Sequence, residues 1–118
     1  DDNAGYDIKI EGNTDFPRKY IEVKSSGDKI SRAVAEISRG QITMAKAMMS
    51  LDGREYFFHF WSFHGEKIFF AEISAEEMSP YFSDETSGNV LRKQGIFFKN
   101  FTDHFQEIYL TDHQYLIR

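Results

Sequence analysis

Residues 54–63 (REYFFHFWSF) and 67–73 (KIFFAEI) are two aromatic-rich runs separated by His64-Gly65-Glu66. Runs of this composition read as strands, and a connection this short that contains glycine reads as a hairpin turn. A sheet is therefore obligatory. The aromatic side chains at alternating positions, Phe57, Trp61 and Phe69 among them, read as core or subunit interface more readily than as platforms for nucleic-acid bases.

Upstream, Tyr6, Ile8 and Ile10 alternate with Asp7, Lys9 and Glu11, the period-two pattern of a strand with one buried face. Gly12-Asn13-Thr14-Asp15 supplies turn chemistry, and a second strand runs from about Arg18 to Ser25. There Ile21 and Val23 face one way, while Tyr20, Glu22 and Lys24 face the other. Residues 29–37 fit no single pattern.

Ser38 and Gln41 have the spacing of a capping box, in which each side chain satisfies a backbone N–H at a helix entrance. Ile42, Ala45 and Met49, with Met48 beside them, continue as a helical apolar stripe that stops before Asp52-Gly53. Ser74 and Glu77 repeat the capping spacing for a short helix reaching about Tyr81. Residues 83–95 read as an exposed loop, and the tail from Gly95 as one or two strands or a strand and a short helix. The order strand, strand, helix, strand, strand, helix implies an α/β or α+β fold built on a central mixed sheet.

A chain of 118 residues fits one domain, 1–118, and its opening Asp1 leads us to expect a piece cut from a longer protein. With no cysteine, no signal peptide and no apolar run of about 20 residues, the expectation is an intracellular, cytoplasmic protein with no membrane partner. The net charge is −5, which argues against holding a polyanion by bulk attraction. It is unevenly spread: Arg18 to Arg54 carries eight basic residues against four acidic ones, a local excess of +4. One face could then meet a nucleic acid while the rest stays solvated.

The charges in the first two strands need a reason. Glu22 and Lys24 lie two apart and project from one face, and pairing of the two strands brings Asp7 across from them. Two adjacent carboxylates cannot both ionise cheaply without a cation between them. Mg²⁺ suits such a pair, because it takes one or two carboxylates and completes its shell with water and phosphate oxygens. A lysine at that point would orient or deprotonate water, or stabilise charge on a phosphate. The bland alternative is an exposed strand face with an ordinary surface ion pair, worth little to stability.

GYDI, residues 5–8, followed after a turn by IEVKSS, residues 21–26, resembles the PD-(D/E)xK nuclease superfamily of restriction-endonuclease-like fold. The resemblance extends over the following helix and strands, to about residue 73. Tyr6 stands where the family signature has proline. The family core also begins with a helix ahead of the Asp-bearing strand, and here only Asp1-Asp2-Asn3-Ala4-Gly5 stand before that strand. The resemblance implies that Asp7 and Glu22 bind Mg²⁺, or Mn²⁺ in its place, and that Lys24 assists the nucleophilic water. Gln41 sits where some members carry a polar residue aimed at the site, so it joins the catalytic set beside its capping role. Lys29, Arg32 and Arg39 are candidates for phosphate contacts, although a charge run is more often a solvated face.

The implied activity is a Mg²⁺-dependent endonuclease acting on DNA, of restriction, defence or DNA-processing type. Its expected partners are DNA and either a second copy of the chain or other domains of a longer parent. The rival reading is an inactive module of the same fold, used to bind nucleic acid or to associate with protein in a larger assembly. His59, His64, His104 and His113 have no metal-ligand spacing and read as structural, and the chain holds no G-x-S-x-G motif or glycine-rich phosphate loop.

Overall fold

The computed structural model describes residues 6–51, 54–82 and 92–109, with Arg54 described by its backbone alone. Strands β1 (Ile8–Ile10), β2 (Arg18–Ser26), β4 (Arg54–His64), β5 (Lys67–Ser74) and β7 (Gln106–Ile108) form a five-stranded sheet in the order β1-β2-β4-β5-β7. β2 and β4 run parallel and the other neighbours antiparallel, so the sheet is mixed, as the order of elements required. The protein is a mixed α/β fold.

The parallel step needs a crossover, because the end of one strand and the start of its parallel neighbour lie a full strand length apart. The crossover carries β3 (Val34–Ser38) and helix α1 (Arg39–Met49). β3 occupies the segment that had no clear pattern in sequence. Its five residues alternate exposed and buried around Ala35 and Ile37, and it pairs with β6 (Lys93–Phe97) in a second, two-stranded sheet. A five-residue strand beside a helix cap presents too short a period to be read alone. β6 also overturns part of the exposed loop expected over 83–95, since Lys93 to Gly95 lie in this strand; residues 83–91 fall outside the described residues.

α1 begins as its capping box demands. The Gln41 N–H donates to Ser38 Oγ at 3.2 Å, and the Ser38 N–H donates to Gln41 Oε1 at 2.9 Å. Ile42, Ala45 and Met48 are its buried residues, whereas Met49, assigned to the stripe in sequence, is 42% exposed. The spacing 42-45-48 tracks three residues per step and turns Met49 one position past the core.

The hairpin turn closes on Gly65-Glu66, with His64 opposite Lys67 and Gly65 at φ 61°, where a side chain would be strained. α2 (Ala75–Met78) is capped by Ser74, which accepts from the Glu77 N–H at 3.1 Å, and a 3₁₀ turn continues to Tyr81. The tail resolves into β6, a 3₁₀ stretch over Phe98–His104 and the edge strand β7.

The core lies between α1, the small sheet and one face of the large sheet. Tyr20, Tyr56, Phe58, Phe60 and Ile73 supply the sheet's side of it, and Ile37, Ile96, Phe98 and Phe101 the other. Full burial of side chains such as Phe58 and Phe60 contributes about 1.5–3 kcal/mol each. This placement corrects the reading of β1, in which alternation pointed to a buried Ile8 and Ile10. Both are nearly half exposed, and so in part is Val23 at 37%. Alternation reveals that a strand has two faces, but not which one the helix covers. Here α1 covers the face that carries Tyr20 and Glu22.

Candidate functional site

Glu22 stands at the centre of β2 and is 4% exposed. The parallel register sets it beside Phe58 of β4, and Lys24 beside Phe60, so both project to the covered side of the sheet. A carboxylate at that depth needs partners. Gln41 Nε2 donates to Glu22 Oε1 at 2.6 Å, and Lys24 Nζ lies 3.6 Å from the same oxygen.

Asp7 arrives from the other strand. It lies at a bend one residue ahead of β1 rather than in mid-strand, and its N–H donates to the Ile21 carbonyl at 2.9 Å. Its Oδ2 accepts from the Val23 N–H at 2.8 Å. Asp7 therefore grips the strand on either side of Glu22, with its backbone N–H on Ile21 and its carboxylate on Val23, which sets the two carboxyl groups beside each other. The turn between the strands is held by Asn13, whose Oδ1 accepts from the N–H groups of Asp15 and Phe16.

The electrostatic consequence is concentrated on Glu22. Burial above all, then repulsion and a shared hydrogen bond with Asp7, push its carboxyl from 4.5 up to about 7, while Lys24 pulls in the opposite direction. Near neutral pH such a group is partly protonated, chiefly because burial removes the water that would solvate its charge. Tyr56, opposite Tyr20 in the register, is buried on the same side; burial holds its phenol well above the ordinary range, with the charges of Glu22 and Asp7 adding to the effect.

The structure thus brings Asp7, Glu22, Lys24 and Gln41 to one place. It does so beside the β1 edge of the sheet, as the strand order requires. Gln41 performs both roles assigned to it, with its oxygen on the helix cap and its nitrogen on Glu22. Lys29 and Arg32 are exposed in the turn that follows β2, where the N–H of Arg32 donates to the Lys29 carbonyl. Arg39 is exposed at the first position of α1. Buried Ser62 of β4 donates to the Asp28 carbonyl, and the exposed His64 ring bonds to the Gly27 carbonyl, which ties this turn down.

Sequence reasoning missed two parts of the site: the Val23 N–H that positions Asp7, and Tyr56. Tyr56 could have been found only from the β2–β4 register, because REYFF reads as core by itself. The three histidines among the described residues each have a partner away from the site. His59 pairs with Glu72 at 2.7 Å, His64 with the Gly27 carbonyl at 3.1 Å, and His104 with Glu77 at 2.5 Å. His113 lies outside the described residues.

Asp7 and Glu22 are oxygen donors that could hold a hydrated divalent cation such as Mg²⁺ or Mn²⁺. The site offers two hard carboxylate groups on paired segments, one of them buried, with a lysine and an amide beside the buried one. Among the described residues no cluster of three or more His, Cys, Asp and Glu exists, so a bound ion would complete its shell with water and substrate oxygens. No helix among the described residues is long and apolar enough to cross a membrane.

No family model matches the chain, and no curated protein or solved structure matches it.

Proposed function

We propose that this domain is a metal-dependent nuclease with a restriction-endonuclease-like core, hydrolysing phosphodiester bonds of DNA. The single observation that carries the reading is the meeting of Asp7, Glu22 and Lys24 from two paired segments, with the Glu22 carboxyl held up to about 7. An ordinary structural ion pair of Lys24 and Glu22 gains nothing from a second carboxylate beside the buried Glu22, because exposed Asp7 only adds repulsion there.

Asp7 and Glu22 would hold the divalent ion. Bound there, the ion supplies neutralising charge for a phosphate oxygen and a lowered pKa for water. Lys24, one-fifth exposed at the rim, keeps an ammonium within reach of solvent, where it orients water or stabilises the charge developing on the phosphate. Gln41 holds the inner oxygen of Glu22 and so aims the carboxylate. Lys29, Arg32 and Arg39 are exposed on either side of the crossover and available to backbone phosphates.

The test is a pair of measurements on the same proteins. Calorimetric titration with Mn²⁺ should show binding that disappears in Glu22→Gln and Asp7→Ala and survives in Lys24→Ala. Plasmid nicking in Mg²⁺ should fall by about 10²–10⁴-fold in Lys24→Ala. Equal nicking by the wild type and all three variants would reject the assignment. The rival reading, an inactive module, is favoured by the depth of Glu22; it predicts no metal binding in the wild type.

A further inference from the structure

The sheet has a second face that leaves large apolar side chains exposed among the described residues, around an Ile21 that its neighbours bury to 4%. Outward positions of β4 alternate strictly with buried ones: Tyr56, Phe58, Phe60 and Ser62 are buried, while Trp61 is partly exposed and Phe63 is 48% exposed. The register lines these outward side chains into rows across the strands. One row runs Ile8, Ile21, Phe57; another joins Trp61 to Phe70; a third joins Phe63, Ile68 and Ile108. Trp61 and Phe63 are stacked at 5.9 Å, and Trp61 and Phe70 lie 4.6 Å apart. Ile8, Ile10, Val23, Phe63 and Ile108 are each more than a third exposed.

We propose that this outer face is a homodimer interface, closed by the same face of a second copy of the chain. Three properties select that occupant. The first is charge. Lys19 Nζ sits 2.8 Å from Glu72 Oε2 and 4.3 Å from the centre of the Phe57 ring, while His59 shares the same carboxylate, so the groups near the middle satisfy one another. Glu55, opposite Lys19 in the register, adds a further negative charge. Such a face offers a polyanion no committed cation, which disfavours stacked nucleic-acid bases as the occupant.

The second property is relief. Aromatic side chains stand on β4 and β5, whereas β1 and β2 present the shorter Ile8, Ile10 and Val23 around a buried Ile21. A two-fold axis parallel to the strands sets the aromatic ridge of one copy over the aliphatic half of the other. That is the self-complementary arrangement a closed dimer needs, with two sheets in aligned packing about 10 Å apart.

The third is area. Strands of 9, 11 and 8 residues flanked by two of 3 define the face. At about 3.3 Å per residue and about 4.8 Å between strands they cover on the order of 500 Å² in plan. Side chains standing on the sheet raise the accessible area toward the roughly 800 Å² per partner of a stable complex.

The chain's single tryptophan, Trp61, lies on this face and reports on it directly. Sedimentation velocity across a micromolar dilution series should show a dimer that dissociates on dilution, with Trp61 emission shifting to the red and acrylamide quenching rising in step. Phe63→Lys should give a monomer with unchanged far-ultraviolet circular dichroism. Ile8→Lys, on the short edge strand, gives the same reading if Phe63→Lys does not fold. Both variants should bind Mn²⁺ as the wild type does, which separates this inference from the nuclease assignment. A wild type that stays monomeric throughout, or variants that assemble unchanged, would overturn the proposal. So would Trp61 emission that moves only when oligothymidylate is added.

Discussion

Gln41 Nε2 lies 2.6 Å from Glu22 Oε1, although 19 residues and an intervening strand separate the two. The same side chain closes the capping box of α1 through its oxygen. Helix entry and carboxylate aim are therefore one structural decision, made by one amide group whose donor and acceptor ends serve different partners.

Gln41→Glu separates those two roles. The substituted side chain keeps a capping oxygen but replaces the donor toward Glu22 with a second acceptor. We expect Gln41→Ala to lose about 1 kcal/mol of stability to urea through the cap and the lost hydrogen bond. Gln41→Glu should keep the cap and add a charge beside Glu22, which tightens Mn²⁺ dependence of stability. If the two variants respond identically to Mn²⁺, the amide does not aim Glu22.

The raised carboxyl of Glu22 has a defined pH signature. Its folded pKa of about 7 lies above the ordinary 4.5, so the folded state binds more protons than the unfolded one between those values. Stability from this group is complete below about 4.5 and is lost as pH rises through about 7. The change is on the order of 3 kcal/mol. Urea denaturation in chelator should show that decline, Glu22→Gln should remove it, and Mg²⁺ should restore stability on the alkaline side. A wild-type profile that matches Glu22→Gln would refute the coupling.

Gly12 controls the approach of the two strands. A Cβ there would meet the Arg18 backbone nitrogen at 2.6 Å and the Phe16 carbonyl oxygen at 3.0 Å, and backbone cannot yield as a side chain can. Gly12→Ala should displace the β1–β2 turn, costing about 1–3 kcal/mol by overpacking. Because Asp7 reaches Glu22 through that pairing, Mn²⁺ affinity should fall as well. Affinity equal to wild type in a destabilised variant would show that Asp7 is placed independently of the turn.

Lys29, Arg32 and Arg39 give a salt-dependent prediction. Each removal by alanine should weaken DNA binding evenly across sequences and reduce the slope of log affinity against log salt by about 1. Fluorescence anisotropy at several salt concentrations measures it. Unchanged slopes would assign all three to solvated surface.

Much of this was legible locally because its causes are local. The turn chemistry of Gly12 to Asp15, the Ser38–Gln41 box and the glycine of the 64–67 hairpin each act over a few residues, and each element formed where its signal lay. Glu22 and Lys24 share a face for the same reason, since strand geometry alone sets a period of two. β3 was not legible, because its partner β6 lies more than fifty residues away and only that pairing makes the segment a strand.

By itself, then, the order of residues settled four of the five strands of the main sheet, β1, β2, β4 and β5, the start of α1 and the placing of Glu22 and Lys24 on one face of β2. Only the folded chain decided which face of that sheet is covered. The choice belongs to the β2–α1–β4 crossover, which lays the helix over Tyr20 and Glu22 and leaves Ile8 and Val23 outside. Burial is a property of what packs against a strand, and a carboxylate acquires its unusual proton affinity only when a distant helix removes the water around it.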